Sequence, residues 1–172
     1  MASPWKTRRR LTFPEWLITV GGGFFIFALA VSAVFVPEIR WLHVVQALLY
    51  VAAILLSFRR NRWGYFIGAS TAGLWNLLAF FASPLFAEII DHPAQADLIL
   101  QGLAWLANFA VVVGSVWGYV RLKTKSNWDI GRFILTFAGT TALLVGATAI
   151  LAPDYLVAFS RALHPHWPWT RA

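Results

Sequence analysis

The chain has 172 residues, of which 59% are hydrophobic and only 12% charged, with a net charge of +7 and no cysteine. A soluble globular domain carries about 25% charged residues, so this composition excludes an ordinary water-facing surface and points to an integral membrane protein. The absence of cysteine excludes disulfides, thiolate chemistry, iron–sulfur clusters and Cys-ligated zinc.

A basic segment comes first, with Lys6, Arg8, Arg9 and Arg10 ahead of an apolar run. Five such runs follow, over Glu15–Val36, Trp41–Phe58, Trp63–Ser83, Leu98–Val120 and Ile130–Ala152. Each is close to the roughly 20 residues that cross a bilayer core. Each is continuously apolar rather than alternating, which indicates helices that satisfy their own backbone groups. The expected fold is an all-α polytopic transmembrane bundle of about five spans: a basic segment 1–14, a membrane domain 15–152 and a tail 153–172. The basic start and the small residues Ala28 to Ala33 also fit a signal peptide. The run continues to Val36, however, and this favours an uncleaved first helix.

The first run contains Gly21-Gly22-Gly23. Glycine costs a helix about 1 kcal/mol against alanine, so three together imply flexibility or close packing. On the second run His43, Gln46 and Tyr50 fall at i, i+3 and i+7, one helical face. The third opens on Trp63-Gly64-Tyr65, carries Gly64, Gly68 and Ala72 at four-residue spacing, and later holds Trp75 and Asn76. Pro84 ends or kinks it. The loop beyond holds Glu88, Asp91, His92 and Asp97. Their spacing matches no metal site, and the stretch reads as a solvated acidic loop. The fourth run places Gln101, Trp105 and Asn108 on one stripe, repeats the small-residue spacing at Ala110, Gly114 and Gly118, and closes on Trp117-Gly118-Tyr119. In the tail, Tyr155, Leu156, Phe159 and Leu163 form a stripe opposite Asp154 and Arg161, as in a short amphipathic helix lying on the interface. His164 and His166 are a weak chelating pair without further ligands, and Trp167 and Trp169 read as interface anchors.

Charge sets the orientation. The N-terminal segment, Arg59, Arg60 and Arg62, and Arg121, Lys123, Lys125 and Arg132 share one side and hold eleven of the 14 basic residues. The opposite side holds Glu38, Glu88, Asp91, Asp97 and Asp154. The positive-inside bias puts the N-terminus in the cytoplasm and the C-terminus outside. Topology accounts for the net charge, so no nucleic-acid partner is expected. The expected partners are the lipid bilayer and a membrane protein or a second copy, and the expected location is the plasma (inner) membrane.

With antiparallel helices, both Trp-Gly-Tyr triplets lie at the basic end, where Trp and Tyr rings sit at headgroup level. The small-residue stripes Gly64, Gly68, Ala72 and Ala110, Gly114, Gly118 predict a close contact between spans three and four, or of either with a second copy. The polar set His43, Gln46, Trp75, Asn76, Gln101, Trp105 and Asn108 falls mainly in the opposite half. It predicts either a shallow outward pocket for a neutral ligand or hydrogen bonds between helices.

Length, five spans and ten Trp resemble the tryptophan-rich sensory proteins in composition. The chain lacks that family's Pro- and Trp-rich loop after the first helix, and the resemblance implies no ligand or site residue here. No hydrolase, kinase, metalloprotease or dinucleotide motif is present. No Asp, Glu, Lys or Arg stands in the middle of a span, which argues against proton-coupled transport. A lone intramembrane His43 argues against a two-His haem site, and no cofactor or metal is expected. These features favour a non-enzymatic accessory or scaffold component over an outward-opening binder or carrier of a small neutral or apolar molecule.

Overall fold

The computed structural model describes residues 10–82 and 96–154. The expected tail helix beyond Asp154, most of the acidic loop and the first nine residues lie outside the described residues. The described chain is a bundle of five helices: α1 Phe13–Phe35, α2 Arg40–Phe58, α3 Arg62–Ala82, α4 Ala96–Val120 and α5 Asp129–Leu151. A 3-10 turn, Pro37–Ile39, joins α1 to α2. The helix ends fall within two residues of those read from the apolar runs. Four stretches, Phe13–Phe35, Pro37–Phe58, Ile99–Val120 and Asp129–Leu151, are long and apolar enough to cross a membrane. The chain is a multi-pass integral membrane protein. The fifth helix, α3, is as long but more polar, and it packs against α2, α4 and α5, so its Ser70 and Thr71 are buried in protein.

Local chemistry explains the helix ends at the basic side. The Thr12 N–H donates to Glu15 Oε2 at 2.7 Å, and Pro14 stands in the first turn of α1, where its missing N–H costs nothing. At the end of α2, Asn61 N–H bonds Leu56 O at 3.0 Å and Arg60 N–H bonds Ser57 O at 2.8 Å, the two bonds of a Schellman motif. The left-handed residue of that motif is usually glycine, but here it is Arg60, with φ 50°. A non-glycine residue costs about 1 kcal/mol there. Its guanidinium reaches Glu15 Oε1 at 3.3 Å, which gives the strained turn a tertiary role. Asn61 Oδ1 then accepts the Trp63 N–H at 3.0 Å and starts α3.

Helix α1 packs on α2 and α4, and α3 packs on α2 and α4, so four helices close a ring of neighbours. Its centre is Phe25 and Leu29 of α1, Tyr50 of α2, Ala72 of α3 and Val111 of α4. Helix α5 lies outside the ring against α3 and α2. Its far end is fastened to the α1–α2 turn through a cluster of Ile39, Leu42 and Ala152.

Lipid supplies no hydrophobic drive between helices, so association rests on close packing and interhelical bonds. The small residues supply the packing along three seams rather than one. A Cβ on Gly68 would lie 2.5 Å from Ser115 Oγ, and Gly118 lies under the Tyr65 ring; both mark the α3–α4 seam. Gly114 instead faces α1, where a Cβ would stand 2.8 Å from both Leu17 Cβ and Pro14 O. A Cβ on Gly21 would lie 2.6 Å from Ala107 O, with Ala110 beside it, again between α1 and α4. Gly64 meets the end of α2, where a Cβ would lie 2.5 Å from Ser57 N. Ala72 is buried in the central cluster. The glycine triplet is also divided: Gly21 meets α4, Gly22 meets Ile54 of α2, and Gly23 meets nothing within 4 Å.

Candidate functional site

The polar stripe of α2 turns inward along its length: His43, Gln46 and Tyr50 are all buried. At its inner end the Tyr50 hydroxyl donates to Asn108 Oδ1 of α4. Tyr50 is 1% exposed and Asn108 2%. The Phe25 ring lies 4.7 Å from Tyr50, and Trp75 meets Phe25 edge-on at 5.5 Å. A phenol and an amide therefore satisfy each other inside an aromatic wall. Among the described residues, Gln46 Oε1 and Thr71 Oγ1 have no hydrogen-bond partner. His43 stands beside the Leu29 carbonyl, and its Nδ1 has no partner among the described residues.

The seven residues expected at a pocket do not converge on one place. Gln46 and Asn108 belong to the buried core around Tyr50, with His43 nearer the start of α2 and Trp75 half-buried against Phe25. Asn76 and Trp105 line a separate groove of about 560 Å³ among α3, α4 and α5, walled by Phe80, Phe109 and Phe137. Gln101 is exposed. Tyr50, which the sequence offered as part of a stripe and not as a site residue, holds the central bond.

A second polar constellation lies at the basic end. Asp129 Oδ1 accepts Arg62 Nη1 at 2.6 Å and Arg132 Nη1 at 2.9 Å. Its Oδ2 accepts the Tyr119 hydroxyl at 3.1 Å and the Ser126 N–H at 3.0 Å. One carboxylate, 2% exposed, thus ties α5 to α3 and α4. Glu15, 1% exposed, ties α1 to the α2–α3 turn through Arg60. For Glu15 the sequence signal was the Thr12-x-x-Glu15 spacing, an acid three residues after a helix-capping hydroxyl; Asp129 is the first residue of α5 and takes the Ser126 N–H from the loop before it. The two Trp-Gly-Tyr triplets meet at this end. Tyr65 of the first packs on Gly118 of the second, Tyr119 bonds Asp129, and Trp117 meets Phe13 at 5.4 Å.

The two constellations differ in access: the core pair is buried, whereas Tyr119 and Asp129 line a hollow of about 230 Å³ with Tyr65 and Phe133. The core pair is neutral and sealed, and the Asp129 carboxylate is saturated by two guanidiniums, a phenol and a backbone N–H. Comparison with protein-family models, with curated proteins and with solved structures finds no match to this chain. Fold and site together define a multi-pass helical membrane protein in which one intramembrane polar pair, Tyr50 and Asn108, joins α2 to α4.

Proposed function

We propose that this chain is a non-enzymatic accessory or scaffold component of the plasma (inner) membrane, with its N-terminus in the cytoplasm. The observation that carries the reading is the Tyr50–Asn108 bond at the closed centre of the ring. A carrier of neutral solutes needs its amides and hydroxyls to face a path for the solute. Here the deepest amide is bonded to protein and covered by aromatic rings. The orientation rests on the crowding of arginines and lysines at one end.

The test uses the absence of native cysteine. Cysteine at Gln46 or Asn108 is expected to resist a membrane-impermeant maleimide in native membranes and to react after denaturation, while cysteine at Gln101 reacts in both. Labelling of the Asn108 position in the folded protein would replace the scaffold reading with the carrier reading. Reporter fusions after Lys125 are expected to read cytoplasmic, and extracytoplasmic reporting there would reverse the orientation.

One observation favours a second reading, a binder of a small neutral or apolar molecule. Asn76 lines the groove among α3, α4 and α5, and its Oδ1 has no hydrogen-bond partner among the described residues. Protection of a cysteine at Asn76 by an added apolar amide, with Asn108 still unreactive, would support that reading.

A further inference from the structure

A second groove runs along the outer face between α1 and α4. It has a volume of about 560 Å³ and is lined by aromatic and aliphatic side chains, among them Phe13, Leu17, Val20 and Phe24 of α1 and Leu103 and Leu106 of α4. Its floor is the close approach of the two backbones at Gly21 and Ala107. From Phe13 to Phe24 it extends about 17 Å along the helix axis, at roughly 1.5 Å per residue. That is about half the ~30 Å hydrocarbon core, the depth of one leaflet.

The groove begins at the basic end, and a polar hollow of about 270 Å³ adjoins it there. Phe13 lines the groove and the next residue, Pro14, lines the hollow, together with Glu15, Arg60, Gly118 and Arg121. Arg121 lies over the Trp117 ring, 5.4 Å from its centroid, and Trp117 abuts Phe13. Arg121 is exposed and has no carboxylate partner among the described residues. Arg60 is bonded to Glu15 on one side, and its side chain is half exposed. Among the described residues the hollow has two guanidiniums and one carboxylate, one positive charge in excess, which a single phosphodiester balances.

We propose that groove and hollow together form a binding site for one anionic phospholipid. One acyl chain lies along α1 and α4, and the headgroup phosphate rests on Arg121 and Arg60. The apolar and cationic parts stand in the order and at the separation that a lipid of that leaflet presents. A zwitterionic lipid would bring its own cation into an already positive hollow, so the site selects an anionic headgroup. The inference rests on membrane embedding and is independent of the scaffold reading, because the site lies outside the closed core.

The test is native mass spectrometry of the full chain in detergent, incubated with equal amounts of dioleoylphosphatidylglycerol and dioleoylphosphatidylcholine. The wild type is expected to retain one phosphatidylglycerol in preference to phosphatidylcholine. Arg121→Gln lowers that preference about fivefold, the worth of one basic side chain near an anionic lipid. Lys125→Gln, which removes an exposed cation at the same end, leaves it unchanged. Val20→Trp fills the groove from its exposed rim and lowers retention of both lipids. Equal retention of the two lipids by the wild type overturns the proposal, whatever the variants do. So does an equal loss of preference in Lys125→Gln, which would mark a general positive field. Unchanged lipid retention in Val20→Trp with loss of a dimer mass would assign the groove to a second copy instead.

Discussion

Helices α4 and α5 are alike in length, at 25 and 23 residues, and both carry glycines spaced through an apolar sequence. Their glycines meet different surroundings. Gly114 and Gly118 of α4 lie against the Leu17 side chain and the Tyr65 ring, and α4 is held by α1 on one side and α3 on the other. Gly131, Gly139 and Gly146 of α5 have no atom within 4 Å of where a Cβ would be. Helix α5 is held instead at separate points: Asp129 at its start, Thr140 and Leu144 midway, and Ala152 just past its end. The glycine pattern that marks a packing seam in α4 marks none within the described bundle in α5. What decides is the facing helix, which a single helix's sequence does not name.

The comparison breaks most sharply at Gly21. A leucine there would drive its Cβ into the Ala107 carbonyl and part α1 from α4. Overpacking of this kind costs about 3 kcal/mol, and lipid offers no hydrophobic force to draw the helices back. Gly21→Leu is expected to show the largest fall in thermal stability in detergent. A melting temperature equal to that of the same change on α5 would remove the α1–α4 seam.

The point attachment of α5 is sharpened at Asp129. Asp129→Asn removes the anion that Arg62 and Arg132 share, leaving two cations facing a neutral amide. Loosening is expected at the start of α5, read as faster protease cleavage between Arg121 and Trp128. Arg132→Gln should have a smaller effect, because Arg62 still holds the carboxylate. Cleavage of Asp129→Asn at the wild-type rate would mean that α5 is held by its other contacts.

Closer to the centre, Tyr50→Phe deletes the bond to Asn108 and keeps the ring against Phe25. In membrane proteins such bonds are worth about 0.6 kcal/mol and at most about 1.7, so the expected effect is third in size. A double-mutant cycle with Asn108→Leu isolates it. Zero coupling would mean that the two side chains bond other partners in the membrane.

These positions also show what could be read beforehand. Apolar runs bounded by Trp and Arg gave the helix ends, because crossing length and interface chemistry are local properties. The α2 stripe was readable as a face, and its burial follows from its polarity. Its meeting with Asn108 was not readable, since it depends on α2 and α4 reaching the same cluster from separate seats in the ring. Gln101 and Asn108 share a stripe yet differ in exposure, because depth along the helix matters as well as facing. The role of Gly114 was hidden for a similar reason: α4 has two neighbours, and its glycine could serve either. Asp129 carries no signal of its own in the sequence. Its four bonds come from three helices and the loop before α5, and are visible only once those are assembled.

The smallest expected effect completes the comparison. Gly139→Leu places a bulky side chain where nothing lies within 4 Å, on an exposed part of α5. It relieves a helix of glycine, which costs about 1 kcal/mol against alanine in water, and adds an apolar group facing lipid. Substitutions away from packing contacts usually shift stability by no more than about 0.5 kcal/mol. The variant should therefore melt with the wild type while Gly21→Leu melts well below it. The measurement is the melting of both variants, first in detergent and then in bilayer nanodiscs. If Gly139→Leu matched the wild type in detergent but fell in the bilayer, the open face of α5 would be covered there by another helix. If it fell in both, the separation of α5 from the close-packed ring would be lost, and with it the contrast between the two helices.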